Sequence, residues 1–261
     1  MSNMHGNLIM KMRLCRRFIS RFCTQCKQLG TLATISTGSR AMDALLGGGV
    51  RAGMVTDVYG ESGSGKSQLC FTLCANCVRD GGRAMFIDTA GTFRPERIVE
   101  MSGSPGALDR IAFVRALNTL DQASAIRKIP EVDPQLIVVD TLTSLFSAEY
   151  SGPARHLAVM KHLHELALAA INAGCAVVVT NMVRNAPITV ADQAGRNVAQ
   201  AVVPSQQREY LGSSVSIYSH VKLKLEIVDA AKSSFRALLV QPAGNEPAPF
   251  AITPWGISDI N

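Results

Sequence analysis

The residues that point most directly to chemistry are Gly60-Glu61-Ser62-Gly63-Ser64-Gly65-Lys66-Ser67. Their spacing is G-x-x-x-x-G-K-[ST], the pattern of a loop that holds phosphate between a strand and a helix. Glycines let the backbone curl until its N–H groups point inward at anionic oxygens, and the positive end of the following helix adds to that field. In such a loop the lysine reaches the β- and γ-phosphates and the serine hydroxyl ligates Mg²⁺. The expected cofactors are therefore ATP and Mg²⁺, with Gln68, the next helical residue, counted among the nucleotide contacts.

A second magnesium-side group is expected at the end of a buried strand. Leu136-Ile137-Val138-Val139-Asp140 supplies one. Many strands end in Asp, but this one follows a phosphate loop, so Asp140 reads as the acid of the Walker B type. Ser67 and Asp140 form the candidate metal pair. A third strand ends in Thr180-Asn181, whose side chains could contact a phosphate or its attacking water, or could cap the next loop.

These groups require a scaffold of alternating elements. Met54–Tyr59 reads as a strand and Lys66–Arg79 as a helix; Ala84–Asp88 is a strand and Pro95–Met101 a short helix. Ile111–Arg115 is a strand, Asp121–Lys128 helical, and Leu136–Asp140 a continuous apolar strand buried on both faces. Arg155–Ala173 carries apolar residues at a period of about 3.6, and Ala176–Thr180 is another buried strand. This order predicts an α/β fold with a mostly parallel sheet and helices on both sides. Residues 184–208 show little periodicity, as functional or mobile loops do. Ser219–Val228 and Phe235–Gln241 read as an antiparallel hairpin closing one edge. Tyr218 and Trp255 read as core or interface packing.

The chain has 261 residues, 47% hydrophobic and 18% charged, which suits one globular domain with a sizeable core and excludes disordered and collagenous classes. No apolar run approaches the about 20 residues of a membrane helix. The net charge of +6 is unevenly placed: residues 1–42 hold seven basic residues and no Asp or Glu. The chain therefore divides into a basic arm, 1–31, and a core, 32–261. An arm of this composition suits nucleic acid or an anionic surface, or a mitochondrial transit peptide, and Met4, Met10 and Met12 offer alternative starts. Seven cysteines with no secretion signal fit reduced thiols in an intracellular protein. Cys23 and Cys26 could be half a zinc site with Cys15 and His5, although no second Cys-x-x-Cys lies nearby. Cys70, Cys74 and Cys77 have helical spacing and read as small buried hydrophobes.

Ile35-Ser36-Thr37-Gly38-Ser39, then Met42-Asp43-Ala44-Leu45-Leu46-Gly47-Gly48-Gly49, leading into the phosphate loop, resembles the core of RecA-type recombinases, above all their archaeal and eukaryotic RadA branch. Asp88-Thr89-Ala90-Gly91-Thr92-Phe93-Arg94-Pro95-Glu96-Arg97 is nearly that branch's signature. Ala148-Glu149-Tyr150-Ser151-Gly152, Val178-Val179-Thr180-Asn181, Leu211-Gly212 and Ser219-His220-Val221-Lys222-Leu223 match in order. The likeness covers about residues 32–257 and lacks the branch's N-terminal helix-hairpin-helix domain; in length and layout the chain is similar to RadB, the short archaeal RadA paralogue. The resemblance implies a RecA-like ATP-binding core with a C-terminal antiparallel β extension. It implies that Arg97 stacks on adenine. It aligns the segment after Met182 with the second DNA-binding loop, where Arg184, Arg196 and Arg208 would meet the backbone of single-stranded DNA.

The departures from the family pattern carry equal information. The signature's Glu, which positions or activates the attacking water, is Ala90 here; Glu61 and Glu96 are the nearby candidates to replace it. The family's Thr-Asn-Gln reads Thr180-Asn181-Met182, the segment before Arg155 is shortened, and no Phe-x-x-Ala polymerisation motif is evident in the arm. No catalytic residue is assigned. The function that follows is an ATP-binding recombination or repair accessory protein, cytoplasmic and nucleoid-associated (mitochondrial or nuclear if eukaryotic), working beside a full-length RadA-type recombinase or another paralogue and not a membrane. The alternatives are an active DNA-dependent ATPase or recombinase and a KaiC-like signalling ATPase.

Overall fold

The computed structural model describes residues 33–186, 190–191, 197–198, 206–231, 233–243 and 246–260. Contacts divide the chain after Ala33, and the fold belongs to the unit from Thr34 onward. The basic arm, with Cys15, Cys23, Cys26 and His5, lies outside the described residues, as does Arg196.

Short strands β1 (Thr34–Ile35) and β2 (Val50–Arg51) pair antiparallel around helix α1 (Arg40–Leu45). The alternating core follows: β3 (Val55–Gly60), α2 (Lys66–Arg79), β4 (Ala84–Asp88), α3 (Pro95–Ser102), β5 (Ile111–Arg115), α4 (Thr119–Ile126), α5 (Ile129–Val132), β6 (Leu136–Asp140), α6 (Ser144–Glu149), α7 (Gly152–Ala173) and β7 (Ala176–Ala186). Then come β8 (Val190–Ala191), β9 (Asn197–Val198), β10 (Gln206–Glu209), α8 (Gly212–Ser216), β11 (Val221–Asp229), β12 (Ser234–Gln241), β13 (Ala248–Thr253) and β14 (Gly256–Ser258).

The main sheet runs β14-β13-β12-β11-β3-β7-β6-β4-β5, and β10 pairs back on β7. From β11 to β5 every neighbour is parallel. Beyond β11 every pairing is antiparallel. The β11–β12 hairpin therefore exists as read, but not as an edge: β11 docks parallel on β3, and β13 and β14 carry the sheet outward. The strand beginning at Ala176 also does not stop at Thr180; it continues six residues further, with Val183–Ala186 paired to β10.

Strands β3, β4 and β6 are buried at every residue, which only a sheet covered on both faces allows. Alternate side chains supply two cores. Val58, Phe86, Leu136, Val138 and Val178 pack with α2 on one face. Val55, Met85, Ile87, Ile137, Val139, Val177 and Val179 pack with α7 on the other, where Val159, Leu163, Leu166 and Ala170 form its apolar stripe. Cys70, Cys74 and Cys77 are buried along α2, and burial raises the Cys77 thiol to about 11, so these are packing groups. No helix among the described residues is long and apolar enough to cross a membrane.

An aromatic chain ties α2 to the segment after β4. Phe71 lies 5.8 Å from Phe86, Phe86 lies 4.8 Å from Phe93, and Phe93 stacks on Phe113 at 4.5 Å between centroids. Phe71→Ala, at a fully buried position, should lower unfolding free energy by about 3–5 kcal/mol. Phe113→Ala, at a side chain 46% exposed, should cost clearly less. Urea denaturation of the two variants checks this, and equal losses would contradict the packing described.

Candidate nucleotide-binding site

The phosphate loop folds as its glycines require. Gly60, Gly63 and Gly65 have φ of +159°, +81° and +94°. A Cβ on Gly60 would lie 2.3 Å from the Leu225 carbonyl oxygen, and one on Gly65 would lie 2.8 Å from Ile252 Cδ1. At Gly60 a side chain is thus excluded by the backbone of β11, and at Gly65 by the left-handed backbone conformation. Helix α2 starts at Lys66, directly from this turn, so its unsatisfied N–H groups open toward the loop.

The loop forms one side of a cleft of about 530 Å³ lined by Ser62, Lys66, Ser67, Gln68, Asp140 and Thr92 among others. Lys66 Nζ donates to the carbonyls of Gly60 and Glu61 at 2.9 and 2.6 Å. Burial lowers its pKa, against the opposing effect of the Asp140 charge. Asp140 is buried and accepts four hydroxyls: Ser67 at 2.7 Å and Thr92 at 3.0 Å on Oδ2, and Thr180 at 2.5 Å and Thr141 at 3.4 Å on Oδ1. The donor set fits a nucleoside triphosphate with Mg²⁺. Ser67 and Asp140 offer adjacent hard oxygen ligands, Lys66 offers a cation, and the loop's close packing excludes Cβ atoms where its backbone must turn inward. Ser64 Oγ, inside the loop, is buried without a hydrogen-bond partner.

The residues singled out from sequence do not all arrive at this cleft. Glu61 contributes its carbonyl to Lys66, but its carboxylate is exposed and off the cleft; Glu96, in the first turn of α3, is exposed too. Among the described residues lining the cleft, Asp140 is the only carboxylate. Ala90 is exposed on the loop after β4. Arg97 bonds Gln68 Oε1 at 3.4 Å, the Thr253 carbonyl at 3.2 Å and Glu100 at 2.5 Å, so it borders the cleft without lining it.

Asn181 is a correction. Successive strand residues face opposite sides, so Thr180 reaches Asp140 while Asn181 turns away from the cleft. The Asn181 side chain accepts from Thr143 Oγ1 at 2.8 Å and donates to the Tyr210 carbonyl at 2.7 Å and to Glu209 at 3.1 Å. Its polar atoms are consumed by structure, which is the capping role left open from sequence. Thr92, Thr141, Met182, Val183 and Ile252 line the cleft without having been picked out as site residues. Thr92 and Met182 lay within noticed motifs, whereas nothing local marks Ile252, which arrives from the far end of the chain.

Behind Asn181 lies a buried charge cluster. Lys222 Nζ ion-pairs with Glu209 and sits 3.3 Å from Asp57 Oδ2. It also donates to Ser216 Oγ at 2.8 Å. One cation thus serves two carboxylates, and neither Asp57 oxygen meets a donor in hydrogen-bond geometry. Burial first, and the Glu209 charge second, hold the Asp57 pKa well above the ordinary 3.8, with Lys222 opposing.

Arg184 and Arg208 stand directly opposite each other across β7 and β10. The Arg184 guanidinium lies 3.9 Å above the Tyr210 ring, and Arg155 donates to the Tyr210 hydroxyl at 2.5 Å. Like charges in register repel; the ring face offsets this by a cation–π contact. Arg184 and Arg208 are both exposed.

The Rad51 family profile matches residues 28–202. The chain is 38% identical over 181 residues to the DNA repair and recombination protein RadA of Metallosphaera sedula, covering 62% of this chain and 56% of that protein. It is 37% identical over 196 residues to RadA of Cenarchaeum symbiosum, covering 68% of this chain and 49% of that protein. It is 40% identical over 168 residues to DNA repair protein RAD51 homolog B of Zea mays, covering 57% and 49%. The chain spans about half the length of these relatives.

The Asp57 geometry sets a pH dependence. The folded protein retains a proton on Asp57 that the unfolded chain releases once pH passes 3.8. Stability from this group is complete below that value and is lost as pH rises toward the folded-state pKa. Asp57→Asn removes the titration. Urea unfolding at several pH values should show the variant gaining on wild type as pH is raised above about 4; a difference constant with pH would mean that Asp57 is ionised in both states.

Proposed function

The chain belongs to the Rad51 family, and we propose that it is an accessory protein of DNA recombination or repair that holds ATP with Mg²⁺ as a long-lived ligand. On this reading it hydrolyses ATP slowly or not at all, contacts single-stranded DNA weakly, and works beside a full-length RadA-type recombinase or another paralogue. The names of the relatives support the recombination setting. The observation that carries the reading is the composition of the cleft: Lys66, Ser67 and Asp140 converge there, and no second carboxylate does among the described residues. The likeness to RadB is the narrower form of this proposal and rests on sequence layout alone.

The chain's own groups divide the work. Lys66 exchanges the Gly60 and Glu61 carbonyls for the β- and γ-phosphates, and the N–H groups at the start of α2 receive phosphate oxygens. Ser67 and Asp140 would hold the metal, which when bound neutralises charge between the β- and γ-phosphates. Thr92 and Thr180 keep Asp140 oriented. On this reading no side chain among the described residues takes a proton from an attacking water: Asp140 accepts hydroxyl donors, and Glu61 and Glu96 do not line the cleft. Arg184 and Arg208 present fixed positive charge on the β7–β10 ribbon, a backbone-binding surface that reads no sequence.

Two measurements test this. Lys66→Ala should abolish ATP binding measured by calorimetry; unchanged affinity would remove the basis of the reading. Ala90→Glu should raise single-turnover ATP hydrolysis about 10-fold or more, short of the ~10²–10⁴ of a fully supported general base. A wild-type rate equal to that of a competent recombinase and not improved by Ala90→Glu would instead establish a working ATPase. Single-stranded DNA should stimulate wild-type hydrolysis little.

A further inference from the structure

The charge cluster behind Asn181 sets two carboxylates against one cation, and its members are not equally free to leave. Asp57 sits on β3 between β11 and β7, its side chain fully buried and neither oxygen met by a donor. Lys222, 4% exposed, reaches both carboxylates from β11. Glu209 arrives from β10, a strand that pairs with β7 alone among the described residues. Both Glu209 oxygens are used: Oε1 accepts from Asn181 Nδ2 at 3.1 Å, and Oε2 pairs with Lys222.

The position of Glu209 gives the cluster a mechanical role. It faces Val183 in the first pair of the β7–β10 ribbon, and the next pair is Arg208 against Arg184. Like charges in register push that pair apart, so the ribbon relies on its root. There Glu209 holds Lys222 and Asn181, and the Tyr210 N–H donates to the Met182 carbonyl at 2.9 Å. The charge count at this root depends on one proton. With Asp57 protonated, its hydroxyl has Glu209 as acceptor, and Glu209 and Lys222 form a neutral pair. With Asp57 ionised, the cluster holds one uncompensated negative charge away from water, which is costly. Among the described residues nothing else offsets it. Glu209 and Lys222 are the charges that act on Asp57; burial pushes the Tyr59 hydroxyl on the same strand up to about 12, so it stays neutral; and Ser216 of α8 and Asn181 of β7 do not titrate.

We propose that Asp57, Lys222 and Glu209 form a proton-linked latch for the β7–β10 ribbon: the ribbon stays seated while Asp57 keeps its proton, and when that proton passes to solvent Glu209 withdraws to water and leaves Lys222 paired with Asp57 alone. Asp57 is fixed in the middle of the sheet, whereas Glu209 stands on a strand bonded along one side. Each state is then neutral at its own protonation. The seated state binds the proton more tightly than the released one. Seating is therefore complete at low pH and is lost as pH rises toward the seated-state pKa, by up to about tenfold per pH unit. A seated ribbon presents Arg184 and Arg208 in fixed positions and loses less freedom on binding; on the DNA-contact reading above, on which this consequence rests, single-stranded DNA binds more weakly as the latch opens.

In the full chain, hydrogen exchange of the β10 and Tyr210 amides, followed from about pH 5 to 9 and taken relative to the β6 amides, reads the latch. Wild type should lose ribbon protection as pH rises, by up to about tenfold per unit. Asp57→Asn keeps the neutral form and Glu209→Gln removes the surplus charge, so in both variants the ratio should stay flat. Affinity for an oligo-dT single strand should fall with pH more steeply in wild type than in either variant. Wild-type protection as flat as that of the variants, or a pH dependence shared by all three, would overturn the latch. Opening that follows the expected pattern while oligo-dT affinity stays unmoved would support the latch and sink the DNA-contact reading. Should Asp57→Asn fail to fold, Glu209→Gln, at the half-buried root of the ribbon, decides alone: a pH dependence equal to that of wild type overturns the latch.

Discussion

The arrangement depends on one buried carboxylate. Strand β6 is driven into the middle of the sheet by four consecutive apolar residues, and it carries Asp140 in with it. A carboxylate in that position must be met by donors, and three of them come from elements distant in sequence: Ser67 from α2, Thr92 from the loop after β4, Thr180 from β7. Hydroxyls are suited to this because each turns to donate to an oxygen that other hydroxyls share. The hydrophobic drive that buries β6 therefore also draws the phosphate loop, the signature loop and β7 to a single point. The cleft is the space left between them.

Strand β7 divides its labour by the two-residue period of extended chain. Thr180 serves Asp140 and Met182 lines the cleft, while Asn181, between them, binds Thr143, Tyr210 and Glu209 on the opposite side. Through Glu209 it joins Lys222 and Asp57, so β3, β7, β10 and β11 are braced by a polar cluster below the cleft. That brace begins two residues before the part of β7 that outruns its parallel neighbours and pairs with β10. The ribbon carrying Arg184 and Arg208 is thus rooted in the same strand that lines the phosphate-loop cleft.

The parallel core was legible because strands buried on both faces leave continuous apolar runs, as in Leu136–Asp140 and Ala84–Asp88, and because α7 carries an unbroken apolar stripe. The phosphate loop was legible because its glycines are needed where side chains cannot fit. What escaped the reading has a common cause. The outer part of β7, Val183–Ala186, contains Arg and Asn because it runs beyond the parallel sheet, so its pairing with β10 leaves no apolar pattern in the sequence. The β13–β14 hairpin is interrupted by Pro249 and Pro254, residues that argue against a strand interior and are tolerated at edges. Ile252 enters the cleft through a contact with Gly65, 187 positions away in the chain, which no local pattern encodes. Asn181 was misplaced because adjacency in sequence was taken for adjacency in space, which a strand denies.

The loop after β4 explains how a cleft of this shape tolerates alanine at position 90. Its form is dictated by Asp88, which accepts the N–H groups of Ala90, Gly91 and Thr92 on one oxygen and of Phe93 on the other, and which pairs with Arg115 at 3.0 Å. Phe93 then fixes the far side of the loop in the aromatic chain from α2 to β5. Residue 90 contributes only its N–H to this arrangement, and any residue but proline has one. Its side chain points from an exposed position and supports nothing, so replacing a glutamate there leaves Asp88, Thr92 and the bond from Thr92 to Asp140 undisturbed. The groups that shape the cleft and the group that would activate water are carried by different atoms of the same short loop. On the proposed reading, ligand binding would persist without hydrolysis, because the fold places no structural demand on the side chain at position 90.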